Sequence, residues 1–141
     1  MRAPKAVHVS GFDLTEARQA EIKRIFGPDV EIIHQSPVRW SAVGLRQAIV
    51  AAQPDAVVLA TAVPRHRRAI EELQGDMAIL RPMYERVRNH RGEVEERHIG
   101  FGLLHDEGQI QFLADGALTD PRAIQQLTRQ HRMRAQLRRG E

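Results

Sequence analysis

The sequence predicts an α/β fold, a Rossmann-like three-layer sandwich whose parallel core sheet is extended by an antiparallel hairpin and followed by a C-terminal helix. Apolar runs at 5–9, 30–34 and 56–62 alternate with stretches whose apolar residues recur at helical spacing. Continuous apolar runs between helices are typical of parallel strands that helices cover on both faces. The length of 141 residues suits one domain with a substantial core.

Each helix of the first half has a start signal and a stop signal. Side chains that accept a hydrogen bond, or a proline in the first turn, favour a start, whereas glycine or a following proline favours a stop. The signals are Asp13 with Glu16 as a capping box and Gly27-Pro28 for the first helix, Ser41 and Pro54 for the second, and Pro64 and Gly75 for the third. The predicted repeat is β-α-β-α-β.

The second half is predicted to change from parallel crossovers to an antiparallel meander. Extended runs at 78–87 and 94–104 flank a turn at 90–92, and a third run follows at 109–113. Asp120-Pro121 then opens a helix whose predicted apolar stripe consists of Ile124, Leu127, Met133 and Leu137. We therefore expect one Rossmann-like domain over residues 1–118 and a basic helix over 119–141.

The charge lies mainly in that terminal helix. Residues 1–118 hold 15 basic against 16 acidic side chains, whereas residues 119–141 hold 6 against 2. The net charge of +3 is therefore a property of the tail.

The lack of cysteine excludes disulfides and thiol chemistry. No apolar run approaches the roughly 18 residues of a membrane span, and no signal peptide precedes the first strand, so a cytoplasmic protein without membrane contact is expected.

Small, polar and cationic residues follow the predicted strands at their carboxyl ends. Ligands of open α/β sheets bind beyond these ends, near the point where strand order reverses. The candidate substrate-binding residues are Ser10, Gly11, Phe12, Gln35, Ser36, Thr61 and Ala62 at the strand ends, Arg67 in the next helix and Arg81 in the fourth extended run. Backbone N–H groups at helix starts favour anions, so this crevice is a candidate phosphate site. Alternatively, Ser10 and Thr61 only finish turns.

His66 is the best-placed titratable residue for catalysis beside this crevice. Histidine acts near neutral pH as acid or base, and the other residues of the Arg65–Arg68 run can hold phosphates. Arg65 is the second candidate catalytic residue. The alternative is that this run is a solvated helix face. Packing or core hydrogen bonding is predicted for His8, His34, Trp40 and Tyr84.

Several common site types are missing from the sequence. Neither GxGxxG after the first strand nor GxxxxGK[ST] occurs, which argues against a dinucleotide or P-loop triphosphate site. The first and third strands end in Ser10 and Thr61 rather than in the acidic residues of a phospho-receiver. The seven histidines show no HxxxH or HExxH spacing, so no metal site and no cofactor are predicted.

Two segments, SGFDLTEARQAEIKRIFG and RPMYERVRNHRGEVEERHIGF, resemble those of small stand-alone CRISPR-associated ring nucleases. The order of features also resembles CARF domains, which are Rossmann-like sensors: a Ser-Gly loop, a hydroxyl after strand three, basic residues entering the next helix, and a hairpin. The likeness covers about residues 5 to 114. Unlike that family, this sequence has no lysine in the two loops.

The resemblance implies a homodimer whose shared crevice binds a cyclic oligoadenylate. It further implies metal-independent cleavage in antiviral CRISPR signalling, with each ribose 2′-OH attacking its neighbouring phosphate. Ser10-Gly11 and Thr61-Ala62 would cradle phosphates, and Arg65, His66 and Arg67 would stabilise charge.

Three alternatives remain open. The protein could sense such a nucleotide without cleaving it. It could instead bind nucleic acid or a protein partner through the basic helix at 119–141, or act as a flavodoxin-like enzyme on a small molecule.

Overall fold

The computed structural model describes residues 2–61, 63–105, 108–138 and 140, and confirms the predicted α/β fold class. The strands are β1 (Lys5–Val9), β2 (Glu31–Gln35), β3 (Ala56–Leu59), β4 (Ala78–Arg88), β5 (Val94–Leu104) and β6 (Ile110–Phe112). The α-helices are α1 (Glu16–Phe26), α2 (Ala42–Ala52), α3 (Pro64–Glu71) and α4 (Pro121–Arg138), and a 3₁₀ turn spans Pro37–Arg39.

The strands form one mixed sheet in the order β2-β1-β3-β4-β5-β6. The first four strands are parallel, and β5 and β6 are antiparallel to their neighbours. Because β2 lies on one side of β1 and β3 on the other, the carboxyl ends of β1 and β3 flank the point where the strand order reverses. We call the side of the molecule beyond these strand ends the carboxyl edge.

Helices cover both faces of the sheet because side chains of successive strand residues point to opposite faces. One face packs against α1 and the start of α4, with a core that includes Ala6, Val58, Leu80, Ile22, Phe26 and Ile124. The other packs against α2 and α3, with a core that includes Val7, Val57, Ile79, Leu45, Ile49 and Ile70. Two buried layers thus hold the carboxyl edge in place.

The start of α1 differs from the prediction. Thr15, not Asp13, is the N-cap: its backbone is extended, and its Oγ1 accepts a hydrogen bond from Arg18 N–H at 3.1 Å. Glu16 is therefore the first helical residue rather than the third, so the predicted capping box is wrong. Ser41 is the cap of α2 as predicted, and α2 ends before Pro54.

Two elements on either side of residue 62 are shorter than predicted. Pairing of β3 stops at Leu59 because its neighbour β1 ends at Val9, although Ala60 N–H still donates to Val9 O at 2.9 Å. The helix α3 ends at Glu71 rather than near Gly75, and tight turns follow it. Thr61 consequently lies in the loop after β3.

The long hairpin of β4 and β5 extends past the carboxyl edge. The last pair between β3 and β4 is Val58 with Leu80, whereas β4 continues to Arg88 and returns along β5 from Val94. Most side chains between Tyr84 and Arg97 are exposed, and we call these residues the ribbon. The ribbon therefore projects from the sheet beside the crevice.

The helix α4 packs on the body through its first half. Ile124 and Thr128 are buried and Leu127 is half-buried. In contrast, Met133 is 62% exposed and Leu137 is 73% exposed. The prediction of one apolar stripe along the whole helix is therefore wrong for Met133 and Leu137. No helix within the described ranges combines the length and the apolar character needed to traverse a bilayer.

Candidate functional site

The loops at the carboxyl edge place Ser10, Gln35 and Thr61 at neighbouring strand ends. Ser10 N–H donates to Gln35 O at 3.3 Å. Ser10 Oγ accepts from Phe12 N–H at 3.1 Å, and Thr61 Oγ1 accepts from Val63 N–H at 3.3 Å. Both hydroxyl oxygens thus hold their own turns, and each hydroxyl proton remains available to an acceptor. This arrangement is compatible with the turn-finishing role and with ligand contact.

Arg67 and Arg81 come together from different elements, α3 and β4. Burial lowers the pKa of Arg81, and the positive charge of Arg67 lowers it further, while Glu71 raises it. Arg67 forms an ion pair with Glu71 at 3.6 Å. The sequence prediction named both arginines, and in the structure their charges lie close enough to interact.

Arg65 lies on a different face of α3 from Arg67. Successive helix residues are about 100° apart, so the Arg-His-Arg-Arg run divides between two surfaces. Arg65, His66 and Arg68 line a groove of about 710 Å³ between α2 and α3. None of the strand-end residues Ser10, Gln35 and Thr61 lines this groove. The predicted site is therefore two adjoining cationic surfaces rather than one pocket.

His66 holds the loop before α2 against α3. Its Nε2 lies 2.9 Å from Trp40 O, and because a carbonyl only accepts, Nε2 must donate. Its Nδ1 is buried without a hydrogen-bond partner among the described residues. Trp40 Nε1 in turn donates to Gln35 Oε1 at 3.1 Å. Gln35, Trp40 and His66 thus connect the end of β2 to α3.

The other predicted binding residues within the described ranges are exposed or lack a side-chain cap bond. Gly11 and Phe12 are exposed, and Ser36 makes no side-chain cap bond at the 3₁₀ turn. Ala62 lies outside the described residues. Each loop of the carboxyl edge also exposes a large apolar side chain: Phe12, Val38, Trp40 and Val63.

A second polar group, missed by the sequence reasoning, lies on the opposite face of the sheet, where α1 meets the ribbon. We call it the α1 polar cluster; it consists of His8, Arg18, Glu21, His34, Tyr84 and His98. His8 and His34 are register partners on β1 and β2, which explains the predicted core hydrogen bond: their Nδ1 atoms lie 3.1 Å apart. The sequence contains that alternation, but nothing in it places Arg18 or His98 beside these rings.

Arg18 is the centre of this cluster. Its Nη2 donates to Tyr84 Oη at 3.3 Å, and its Nε lies 3.6 Å from Glu21 Oε2. Glu21 Oε1 lies 3.1 Å from His98 Nδ1. Three buried nitrogens of this cluster have no hydrogen-bond partner among the described residues: His8 Nε2, Arg18 Nη1 and His98 Nε2.

Burial is the main reason that the imidazoles of His8 and His98 stay neutral, and the positive charge of Arg18 adds to it. The pKa of His8 is lowered to about 4 by burial, then by His34 and Arg18. Burial lowers the pKa of His98 and Arg18 lowers it further, although Glu21 raises it. The cluster thus places the Arg18 cation beside one carboxylate, Glu21, and two neutral imidazoles, His8 and His98.

Fold and site together define an open Rossmann-like sandwich with a cationic and partly apolar carboxyl edge. Among the described residues, no three histidine, aspartate or glutamate side chains converge as a metal ion would require. Comparison with models of known protein families and with curated proteins found no match to the chain.

Proposed function

We propose that the protein binds a cyclic oligoadenylate at the carboxyl edge, in a crevice shared by two subunits, and cleaves it without a metal ion. The observation that carries the proposal is that Arg67 on α3 and Arg81 on β4 are close enough for their charges to interact, while Ser10 and Thr61 form turns at neighbouring strand ends. Paired arginines attract phosphates, and hydroxyl and backbone N–H groups at strand ends supply hydrogen bonds to them.

The exposed apolar side chains of the same edge suit the rest of such a ligand. Phe12, Val38, Trp40 and Val63 surround the strand ends and are available to adenine rings or to a second subunit. Aromatic faces stack on nucleobases irrespective of sequence. An edge that combines cations with apolar surface fits a nucleotide better than a free phosphate.

The proposed cleavage needs positioning more than an activated side chain. The ribose 2′-oxygen attacks the adjacent phosphorus, the bond to the 5′-oxygen breaks, and the proton of the 2′-OH ends on that leaving oxygen. The products are a 2′,3′-cyclic phosphate and a 5′-OH. Orientation of an internal nucleophile contributes about 7 to 11 kcal/mol.

Arg67 would stabilise the charge that develops on one phosphate of the ring, and Arg65, on the adjoining surface of α3, the charge on another. His66 would position the Trp40 loop, because its Nε2 donates to the Trp40 carbonyl. In this arrangement His66 acts through the loop that it holds. Its replacement should therefore impair both binding and cleavage.

The test is incubation of the purified protein with cyclic tetra-adenylate and with cyclic hexa-adenylate in EDTA, followed by chromatography of the products. We expect a cyclic-phosphate product from one ring. Arg65→Ala and His66→Ala should slow the reaction at least tenfold, whereas Arg129→Ala, on the exposed surface of α4, should not. Binding without cleavage would identify a sensor. The absence of both cleavage and a thermal shift would refute the proposal.

Two exposed apolar residues in the second half of α4 favour a second candidate, binding of nucleic acid or a protein partner. Met133 and Leu137 are exposed, and residues 119–141, to which they belong, hold six basic and two acidic side chains. If this half binds RNA or DNA, deletion of residues 129–141 should abolish the affinity, and the affinity should fall steeply with salt. An affinity that survives the deletion would reject this candidate.

A further inference from the structure

The α1 polar cluster contains buried hydrogen-bonding nitrogens that the protein itself leaves unused. His8 is only 2% exposed, and its Nε2 has no partner, nor do Arg18 Nη1 and His98 Nε2, among the described residues. A buried donor without an acceptor destabilises a fold by about 1 to 3 kcal/mol. Arg18 Nη1 is such a donor, and His8 Nε2 is one in the tautomer whose Nδ1 accepts from His34. His98 Nε2 is instead an acceptor, because the Nδ1 of that neutral ring donates to Glu21. The cluster therefore lacks an acceptor for Arg18 Nη1 and for that tautomer of His8.

The chemistry of the cluster selects the kind of acceptor. Arginine has five N–H donors and no acceptor, and a neutral imidazole donates through one nitrogen. Glu21 is the only carboxylate among the six residues, and it is divided between Arg18 at 3.6 Å and His98 at 3.1 Å. Glu21, at 3.6 Å, is therefore the one counter-charge that Arg18 has within the cluster. A small anion would accept the remaining hydrogen bonds of its guanidinium.

The cluster is open to solvent on the side of the ribbon. Tyr84 is exposed and His34 is half-buried. The Arg18 side chain extends from α1 to the Tyr84 hydroxyl. The site lies on the α1 face of the sheet, opposite Arg67 and Arg81, and goes beyond the proposed function.

We propose that the α1 polar cluster is a binding site for a phosphate group, with Arg18 as the principal ligand and His8 and Tyr84 as additional hydrogen-bond partners. The group would be a free phosphate or a terminal phosphomonoester. The alternative occupant is ordered water, which also satisfies buried polar atoms.

The test is calorimetric titration with inorganic phosphate, with sodium chloride of equal ionic strength as the reference. We expect saturable binding. Arg18→Gln should weaken it at least tenfold, because a charge-assisted hydrogen bond is lost. Tyr84→Phe, which removes one exposed hydroxyl, should weaken it about threefold. Arg24→Gln changes an exposed arginine of the same helix and serves as the matched control.

Nuclear magnetic resonance locates the site independently of the variants. Phosphate should shift the ring nitrogens of His8 and leave those of His90, in the hairpin turn, unchanged. Titration with a ribonucleoside 5′-monophosphate distinguishes the two sources: tighter binding than inorganic phosphate indicates a phosphomonoester, and equal affinity indicates free phosphate.

The proposal would be overturned if no phosphate bound, or if Arg18→Gln and Arg24→Gln weakened the binding equally. Ordered water would then be the occupant of the cluster. If Arg18→Gln does not fold, as judged by circular dichroism, Tyr84→Phe and the His8 resonances decide the outcome. This result is distinguishable from a failure of the proposed function, because the titration uses no cyclic oligoadenylate and no residue of α3.

Discussion

Burial disfavours the charged form of both Asp55 and His8, but Asp55 stays charged whereas His8 stays neutral. Burial raises the pKa of Asp55, but hydrogen bonds from the Arg2 guanidinium and Lys5 N–H prevail and lower it. Asp55 therefore stays charged and ties the N-terminal segment to the start of β3. His8 has no such counter-charge and stays neutral, so the pH dependence of stability differs for the two residues.

His8 should make the protein sensitive to mild acid. Its pKa is about 4 in the folded protein and 6.5 as the ordinary value. Between these values the unfolded chain binds more protons than the folded one, so the free energy of unfolding falls as pH drops from 6.5 to 4. We expect His8 to contribute a loss on the order of 2 kcal/mol over this window. Urea titrations at a series of pH values measure it.

The matched variants for this prediction are His8→Gln and His90→Gln. The first should make the decline with pH shallower, while His34, Arg18, Glu21 and His98 remain around the substituted side chain. The second changes an exposed histidine and should leave the decline unaltered. Identical slopes in the two variants would show that His8 does not titrate in this window.

At the scale of the elements, the described apolar residues of α4 differ in what they contribute to stability. Ile124 is buried in the core with α1, whereas Leu137 is exposed. We predict that Ile124→Ala lowers the free energy of unfolding by about 2 to 4 kcal/mol, because it leaves a cavity. Leu137→Ala should change it by less than about 0.5 kcal/mol. Chemical denaturation of both variants is the measurement, and comparable losses would contradict this difference.

Local signals in the sequence account for most element boundaries. Ser41 and Pro54 delimit α2, and β5 spans 94–104 as predicted, because caps, prolines and turns act within a few residues. The N-cap of α1 was misplaced because Asp13 and Thr15 are both good caps, and sequence alone does not rank two candidates two residues apart. The end of β3 depends on where its neighbour β1 stops, which is information from another part of the chain.

The candidate site was predictable only in part for the same reason. Topology places strand ends together, so Ser10, Gln35 and Thr61 could be grouped from the sequence. The division of Arg65 from Arg67 follows from the rotation of α3 against the sheet. The α1 polar cluster depends on contacts between α1, β1, β2 and the hairpin, which no local pattern encodes.

At the scale of the whole molecule, the carboxyl edge is the surface that another subunit would cover. Phe12 and Val38 are both 83% exposed and belong to loops after neighbouring strands. Single exposed apolar residues are ordinary, but a set of them around one crevice marks an interaction site. We predict that the protein is a dimer through this edge.

Sedimentation equilibrium tests the dimer. Phe12→Ser combined with Val38→Ser should shift the protein towards monomer, because both remove apolar area from the proposed interface. Val94→Ser, which changes an exposed apolar residue on the ribbon, should not. A wild-type monomer at all accessible concentrations, or equal shifts in both variants, would exclude this interface.

The order of the strands also governs how the chain can fold. β1, the first of the six strands in chain order, lies between β2 and β3, and both of its partners are distant in sequence. Closing such loops costs entropy before any contact repays it, whereas β4 and β5 are joined by a short turn and can pair at once. The hairpin can therefore form early, whereas the parallel core can form only after β3 has been synthesised. Until then β1 lacks one of its two partner strands, and its apolar side chains stay exposed for as long as that delay lasts.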